Sequence, residues 1–194
     1  MALGKVRLQT RHLLVRQPIQ IAHAQSPWGD RIRSHLSHQW VLTLADAEAT
    51  LAINVLGPIR LTNALVNHLT GQPDAAIVTV TSGLAYAPLV AAPTYSATKA
   101  AIHSYTVSLR TQLAGKVEVI ELAPPGVQTD LTPGQANRPG YMPLDAVAAQ
   151  FAQQATPREI LVDEVQFLRQ AEREGRFDET LTERAAKQRE AGGQ

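Results

Sequence analysis

Tyr95 and Lys99 are the residues whose types and spacing suggest chemistry. They stand four apart in "PTYSATKAAIHSYTVSLR", residues 93 to 110, and on a helix such a pair shares one face at about 6 Å between Cβ atoms. A tyrosine of pKa about 10 is a weak base at neutral pH, but a cation within about 4 to 6 Å favours the phenolate. The pair could therefore be an acid/base and the cation that tunes it.

Two polar residues earlier in the chain fit the same chemistry. Ser82 ends a predicted buried strand, at the carboxyl edge where open α/β sheets bind ligands, and its hydroxyl could hold a carbonyl group. Asn54 lies within a predicted helix, where an asparagine needs a polar partner such as a water or a backbone carbonyl.

Each of these residues also has a purely structural interpretation. Tyr95 could be a half-buried aromatic residue with Lys99 solvated, Ser82 a strand-end cap and Asn54 an ordinary polar position of a helix. The order of the four residues and their predicted contexts together favour a catalytic site.

The apolar pattern predicts the elements that would position these side chains. Helix, strand, helix and strand follow one another, which implies right-handed crossovers and a parallel α/β sheet. A bend is expected at Gly57-Pro58. The predicted elements are a helix over 45 to 69, a strand over 75 to 82 that is buried on both faces, a helix over 94 to 114, a strand over 116 to 125, a loop over 126 to 143, helices over 144 to 155 and 157 to 175, and a charged end that frays.

Composition narrows the class of protein. The chain has 194 residues, 44% of them hydrophobic, and no cysteine, which suits one globular domain in a reducing compartment. No apolar run of about 20 residues and no signal peptide is recognised, so we expect a cytoplasmic protein that does not contact a membrane.

Charge is uneven along the chain. Residues 1 to 40 hold six Lys/Arg and one Asp, a charge of +5, and the other 154 residues hold 12 Lys/Arg and 16 Asp/Glu, a charge of −4. A basic arm could bind nucleic acid, but its charges form no stripe and no aromatic residues accompany them. Its four histidines lack the spacing and carboxylate partners of a metal site. We expect neither a nucleic-acid partner nor a bound metal.

Residues 42 to 181 resemble the C-terminal two thirds of a short-chain dehydrogenase/reductase, most closely the bacterial DltE-type oxidoreductases. The resemblance implies an incomplete, doubly wound, Rossmann-like parallel sheet, with an atypical basic segment at 1–41 and a charged tail at 182–194. It rests on the Tyr95 segment and on "INVLGPIRLTNAL" (53 to 65), "AAIVTVTSGLA" (75 to 85), "VEVIELAPPGVQTDL" (117 to 131) and "FLRQAEREGRFDE" (167 to 179).

The resemblance implies a role for each of the four polar residues. Tyr95 would be the acid/base, and Lys99 would lower the pKa of Tyr95 and bond the ribose of the nicotinamide nucleotide. Ser82 would orient the substrate carbonyl, and Asn54 would hold a water that links the lysine to solvent.

A second motif of the family would contact the cofactor, NAD or NADP. Here it reads "PPGVQT", so Pro125, Gly126, Val127 and Thr129 are the expected cofactor-binding residues together with Tyr95 and Lys99. Thr129 matches the threonine that contacts the carboxamide of the nicotinamide. Pro125 replaces the usual glycine and stiffens the loop.

The implied reaction is hydride transfer between NAD(P) and a small carbonyl or alcohol substrate. The resemblance also implies a homodimer through the helices at 45–69 and 94–114. The alternative is a non-catalytic remnant of the family that acts in dimerisation or interaction.

The glycine-rich turn T-G-x-x-x-G-x-G, which would hold the diphosphate of the cofactor at a helix N-terminus, is missing from the sequence. Only Gly4 and Gly29 precede Asn54. Residues 1–41 have three possible origins: out-of-frame or misassigned coding sequence, a replacement arm on a truncated chain, or an altered fold that binds the cofactor differently. In each case a standard dinucleotide site is lacking, and we expect a sheet edge that is exposed or poorly covered.

Overall fold

The computed structural model describes residues 43–131, 134–153 and 158–192, so the predictions for residues 1–41 lie outside the described residues. The helices are α1 (Leu44–Leu69), α2 (Pro93–Gln112), α3 (Leu144–Gln153), α4 (Asp163–Arg173) and α5 (Phe177–Gly192). The strands are β1 (Ala76–Val80), β2 (Glu118–Ala123), β3 (Val127–Gln128), β4 (Met142–Pro143) and β5 (Glu159–Leu161).

The three longest strands form a parallel sheet in the order β1-β2-β5. Val80 pairs with Leu122, and Leu122 pairs with Ile160 on the other side. The prediction of a parallel α/β sheet is therefore confirmed. A separate two-stranded parallel pair, β3 with β4, lies within the segment that the sequence predicts as a loop.

Strand β5 corrects the prediction of one helix over residues 157 to 175. Its backbone joins the sheet, where the Glu121 N–H donates to the Arg158 carbonyl at 2.9 Å. The helix begins only at Asp163. A three-residue apolar run has no period of its own, so its state depends on pairing with a distant strand.

Helix α1 departs from regular geometry one turn before the expected bend. Residues Ala52–Leu56 form a π-helical turn, in which the Gly57 N–H donates to the Ala52 carbonyl. Pro58 has no N–H to donate to the carbonyl four residues back, so the wider turn stands where a regular hydrogen bond is impossible. By length and composition alone α1 could also cross a membrane, although the sequence predicts no span.

The core lies between the sheet and α4. Val162, Val165 and Leu168 pack with Tyr86 and Ala123, and all five are buried. A second buried cluster joins the end of α2 to the start of β2 and includes Leu109, Leu113, Val117 and Val119.

Strand β1 is an edge strand within the described part of the chain. β2 pairs with one of its sides, and the described residues place no strand on the other. Thr79 faces α2, where its hydroxyl accepts a hydrogen bond from Thr106 at 2.9 Å. The alternate residues Val78 and Val80 are 55% and 52% exposed, so the prediction of burial on both faces is wrong in this structure.

The charged C-terminal stretch also differs from its prediction. After the helix that ends near Gly175, the sequence predicts a charged stretch that frays into Gly-Gly-Gln, with a charged tail at 182–194. Residues Phe177–Gly192 instead form α5, which begins after Gly175 in a left-handed turn of φ +72°. The stretch holds alternating acids and bases of good helix propensity.

Candidate active site

Three elements meet where the sequence predicts the catalytic residues. The Lys99 ammonium, on α2, donates to the Val80 carbonyl at the end of β1 at 3.1 Å. Ser82 follows two residues after Val80. The Asn54 Nδ2, in the π-helical turn of α1, donates to the Thr98 hydroxyl of α2 at 3.2 Å. The structure thus brings Lys99 to the strand end that precedes Ser82, and it places Asn54 against Thr98, the residue before Lys99.

Tyr95 and Lys99 share a face of α2. Pro93 opens this helix, where its fixed φ suits a first turn, and Tyr95 follows within that turn. The Lys99 nitrogen lies 5.5 Å from the centroid of the Tyr95 ring. Tyr95 is 37% exposed, so its ring is reachable by a ligand while Lys99 lies deeper.

Ser82 caps a turn with the hydroxyl that would bind a substrate. Its backbone is extended, and its Oγ accepts from the Leu84 N–H at 3.2 Å at the start of the 3₁₀ turn Gly83–Ala85. The structural interpretation of Ser82 as a cap therefore holds in this fold. A hydroxyl that accepts one hydrogen bond still has its own proton to donate, so the cap and a role in binding a carbonyl are compatible.

Folding shifts the pKa values of Tyr95 and Lys99 in opposite directions. Burial, and then the nearby Tyr141 phenol, raise the pKa of Tyr95 above its usual value. Burial also lowers the pKa of Lys99 to about 8. The role of Lys99 in lowering the pKa of Tyr95 stays a prediction. With its pKa raised by burial, Tyr95 holds its proton at neutral pH.

The half-buried ammonium of Lys99 is expected to make the stability of the fold depend on pH. Its pKa falls from 10.5 to about 8 on folding, so between these values the unfolded chain holds a proton that the folded chain has released. Stability contributed by the neutral amine therefore rises with pH across that window. We compare the free energies of unfolding of the wild type and of a Lys99→Met variant by urea titration. From pH 8 to 10.5 we expect the value of the wild type to rise relative to that of the variant. A constant difference between the two proteins would contradict this assignment.

Tyr141 and Arg138 belong to this region, although the sequence analysis does not identify them. The ring of Tyr141 packs on Gly126, and Arg138 Nη1 donates to the Tyr141 hydroxyl at 3.0 Å. The guanidinium of Arg138 also lies 5.1 Å from that ring's centroid. The signal for Tyr141 in the sequence was an aromatic residue within the Pro/Gly-rich loop "NRPGYMP".

The second motif lies in and beside β3. Val127 pairs with Met142. Gln135 Nε2 donates to the Val127 carbonyl at 2.8 Å and to the Thr129 hydroxyl at 3.0 Å, which anchors the segment that includes Pro125 and Gly126.

These residues fit only one end of a dinucleotide. A half-buried ammonium and an anchored hydroxyl are groups that could bind a nicotinamide and its ribose, whereas the sequence contains no glycine-rich turn for the diphosphate. Within the described ranges, no group of three His, Cys, Asp or Glu side chains could hold a metal ion.

A side chain at Gly126 would crowd the ring of Tyr141. A Cβ there would lie 3.0 Å from two ring atoms of Tyr141, and the ring is held by Arg138. We expect Gly126→Ala to destabilise the fold by about 1 to 3 kcal/mol, as measured by urea denaturation. Gly57→Ala is the matched control, because its Cβ would meet only the Ala52 carbonyl at an ordinary 3.6 Å. Equal stability of the two variants would show that Tyr141 does not restrict this position.

Comparison with known proteins finds similarity to dehydrogenases and oxidoreductases. The family model described as short chain dehydrogenase matches residues 35–139. The uncharacterized oxidoreductase DltE of Bacillus subtilis is 48% identical over 91 residues, which are 46% of this chain and 36% of that protein. The 2,3-dihydro-2,3-dihydroxybenzoate dehydrogenase of Escherichia coli is 35% identical over 91 residues, 46% of this chain and 37% of that protein.

A solved structure supports the same relationship. A short chain dehydrogenase from Burkholderia cenocepacia, crystallised in complex with NADP, superposes with a TM-score of 0.55 at 27% identity and covers 67% of this chain and 57% of its own. The chain spans well under half the length of the two relatives above.

Proposed function

Because this chain belongs to the short-chain dehydrogenase family, whose model matches more than half of it, we propose that it is an NAD(P)-dependent oxidoreductase that interconverts a small carbonyl compound and its alcohol. The carrying observation is the phenol of Tyr95 beside the ammonium of Lys99, at the strand end that leads to Ser82. That place is the carboxyl edge of a parallel sheet, where α/β folds bind their ligands.

The proposed residues supply the proton side of the reaction. In reduction, the Tyr95 hydroxyl donates its proton to the carbonyl oxygen of the substrate, and the Ser82 hydroxyl donates a hydrogen bond to the same oxygen. The raised pKa of Tyr95 keeps that proton in place until the oxygen becomes basic. In oxidation, the tyrosinate accepts the proton from the alcohol. A positioned general acid of this kind contributes about 10² to 10⁴ in rate.

The cofactor would be held at its nicotinamide end. Lys99 would bind the ribose and Thr129 the carboxamide, and NAD or NADP, when bound, would supply or accept the hydride. Asn54 would hold a water that connects Lys99 to solvent. Because no glycine-rich turn is present in the sequence, we propose that the affinity for the cofactor and the rate are both impaired.

Direct titration tests this function. NADPH and NADH are titrated separately by calorimetry, and oxidation of each is followed with a panel of small aldehydes and ketones. We expect weak, saturable binding of one nucleotide and slow reduction that depends on both substrates. No binding at millimolar nucleotide, together with no reduction above background, would reject the proposal.

A second candidate function is self-association, either of the enzyme or of a non-catalytic family member. α1 and α2 expose apolar side chains, and the groove between them, of about 300 Å³, is lined partly by Ile59, Val66, Tyr105 and Leu109. The exposed apolar residues of the two helices are Leu44, Leu51, Ile53, Leu56, Leu61 and Val107. We propose that a second copy of this chain covers these exposed residues. Sedimentation over a range of concentrations, without nucleotide, distinguishes a dimer that binds no cofactor from an enzyme.

We also propose a cytoplasmic location, which the absence of cysteine supports.

A further inference from the structure

Glu121 is a fully buried carboxylate in the middle of the sheet. It lies on β2, the central strand, where burial of a charge is costly unless hydrogen bonds compensate. Thr81 Oγ1 donates to it at 2.7 Å and the Tyr86 hydroxyl at 3.1 Å. His103 Nδ1 lies 2.9 Å from both carboxylate oxygens.

These contacts keep Glu121 ionised. Burial opposes ionisation, but the hydrogen bonds from His103 and Thr81 outweigh it and hold the pKa of Glu121 below its usual value. An ionised carboxylate only accepts hydrogen bonds, so His103 Nδ1 carries the hydrogen that faces it.

The donors to Glu121 come from both ends of the segment that contains Ser82 and from helix α2. Thr81 directly precedes Ser82, and Tyr86 directly follows the turn that the Ser82 hydroxyl caps. His103 is on α2, one turn after Lys99. Glu121 therefore holds both ends of the segment that contains Ser82 and ties that segment to the helix that contains Tyr95 and Lys99.

Further groups hold Tyr86 from its outer side. The guanidinium of Arg169 lies 4.9 Å from the centroid of the Tyr86 ring, and Arg169 Nη2 donates to Glu159 at 3.2 Å. The ring of His103 meets Tyr86 edge-on, with centroids 5.0 Å apart. The ring thus has little freedom to carry the end of the turn away from β2.

We propose that Glu121 is a positioning residue, which fixes the Ser82 hydroxyl relative to Tyr95 and Lys99. This inference rests on the proposed function for its catalytic meaning. A displacement of a reacting group by about 1 Å can cost about 100-fold in rate. A single carboxylate that joins the two segments bearing the hydroxyl and the phenol would limit such displacements.

The test uses Glu121→Gln in the full chain, with a readout that does not depend on activity. The Leu84 amide bonds the Ser82 hydroxyl and the Ala85 amide bonds the Ser82 carbonyl, so hydrogen exchange at these two amides reports the position of the turn. We expect exchange there to quicken about 10-fold or more and exchange in the middle of β2 to change less. If the Gln variant does not fold, Tyr86→Phe, which removes one donor and keeps the ring, is expected to act in the same direction.

Thr106→Val is the matched control. It removes another buried hydrogen bond between α2 and the sheet, from Thr106 to Thr79, without touching the Ser82 turn. We expect exchange at Leu84 and Ala85 to stay within about two-fold of the wild type in this control. The inference is overturned if exchange at these amides is unchanged in the Glu121→Gln variant, or in Tyr86→Phe where that one must be used, or if it quickens no more than in the rest of the sheet.

Activity separates this inference from the proposed function. If the wild type reduces a carbonyl compound, Glu121→Gln is expected to lower kcat about 10- to 100-fold while the KM for the nucleotide stays the same. An unchanged kcat overturns the inference while the proposed function stands. If the wild type neither binds nucleotide nor reduces a carbonyl compound, the proposed function fails, and the exchange measurement still decides whether Glu121 positions the turn.

Discussion

A Tyr95→Phe variant is expected to lose about 10²- to 10⁴-fold in kcat/KM for carbonyl reduction, because it removes the only proton that the proposed mechanism delivers to the substrate oxygen. The phenyl ring keeps the shape of the side chain, so the fold and the contact with Lys99 should persist. Initial rates with saturating nucleotide and an active carbonyl substrate measure the loss.

Tyr105→Phe provides the control for this change. Tyr105 is on the same helix, but it lines the groove between α1 and α2. The same loss of a hydroxyl there should leave the rate unchanged. If Tyr95→Phe retained the activity of the wild type, the assignment of Tyr95 as acid/base would be wrong, even if the protein proved to be a reductase.

A Val107→Glu variant is expected to weaken self-association by about 100-fold or more. Val107 is 42% exposed on α2 and is one of the exposed apolar residues that a second copy is proposed to cover. A two-fold interface contains each substituted residue twice, and an unpaired carboxylate costs several kcal/mol when buried. Sedimentation equilibrium over a wide range of concentrations gives the dissociation constants of the dimers.

Thr182→Glu tests whether added charge alone has this effect. Thr182 is an exposed residue of α5, so the same change there should leave the dissociation constant near that of the wild type. A wild type that stays monomeric at every concentration, or equal weakening of the dimer by both variants, would exclude the proposed interface.

The long elements were predictable because the apolar period reports burial directly. The helix predicted at 94 to 114 is observed at Pro93–Gln112, and β1 and β2 lie inside the runs predicted as strands. The placement of Tyr95 and Lys99 on one helical face follows from their spacing, which local geometry alone determines.

The short strand β5 and the exposure of Val78 depend on distant partners. The state of Glu159–Leu161 is decided by pairing with β2, a contact between residues about 40 apart in the chain. Val78 has the composition of a doubly buried strand, but its burial depends on what lies on the outer face of β1.

The supporting contacts of the site were the least predictable part. In the sequence, Glu121 is a charged residue within the predicted strand "VEVIELA". Only the tertiary structure shows that His103 and Tyr86 both contact it. The raised pKa of Tyr95 likewise follows from its burial and from Tyr141, which the spacing to Lys99 does not report.

The edge of β1 that the described residues leave unpaired has a consequence for handling the protein at high concentration. Residues 75 to 81, "AAIVTVT", contain no charge, no proline and no glycine, which is the composition of segments that stack into cross-β fibrils. Their backbone groups on the outer side of β1 can template an identical strand from another molecule. The strand that leads to the candidate site therefore has the composition of a segment that seeds amyloid growth.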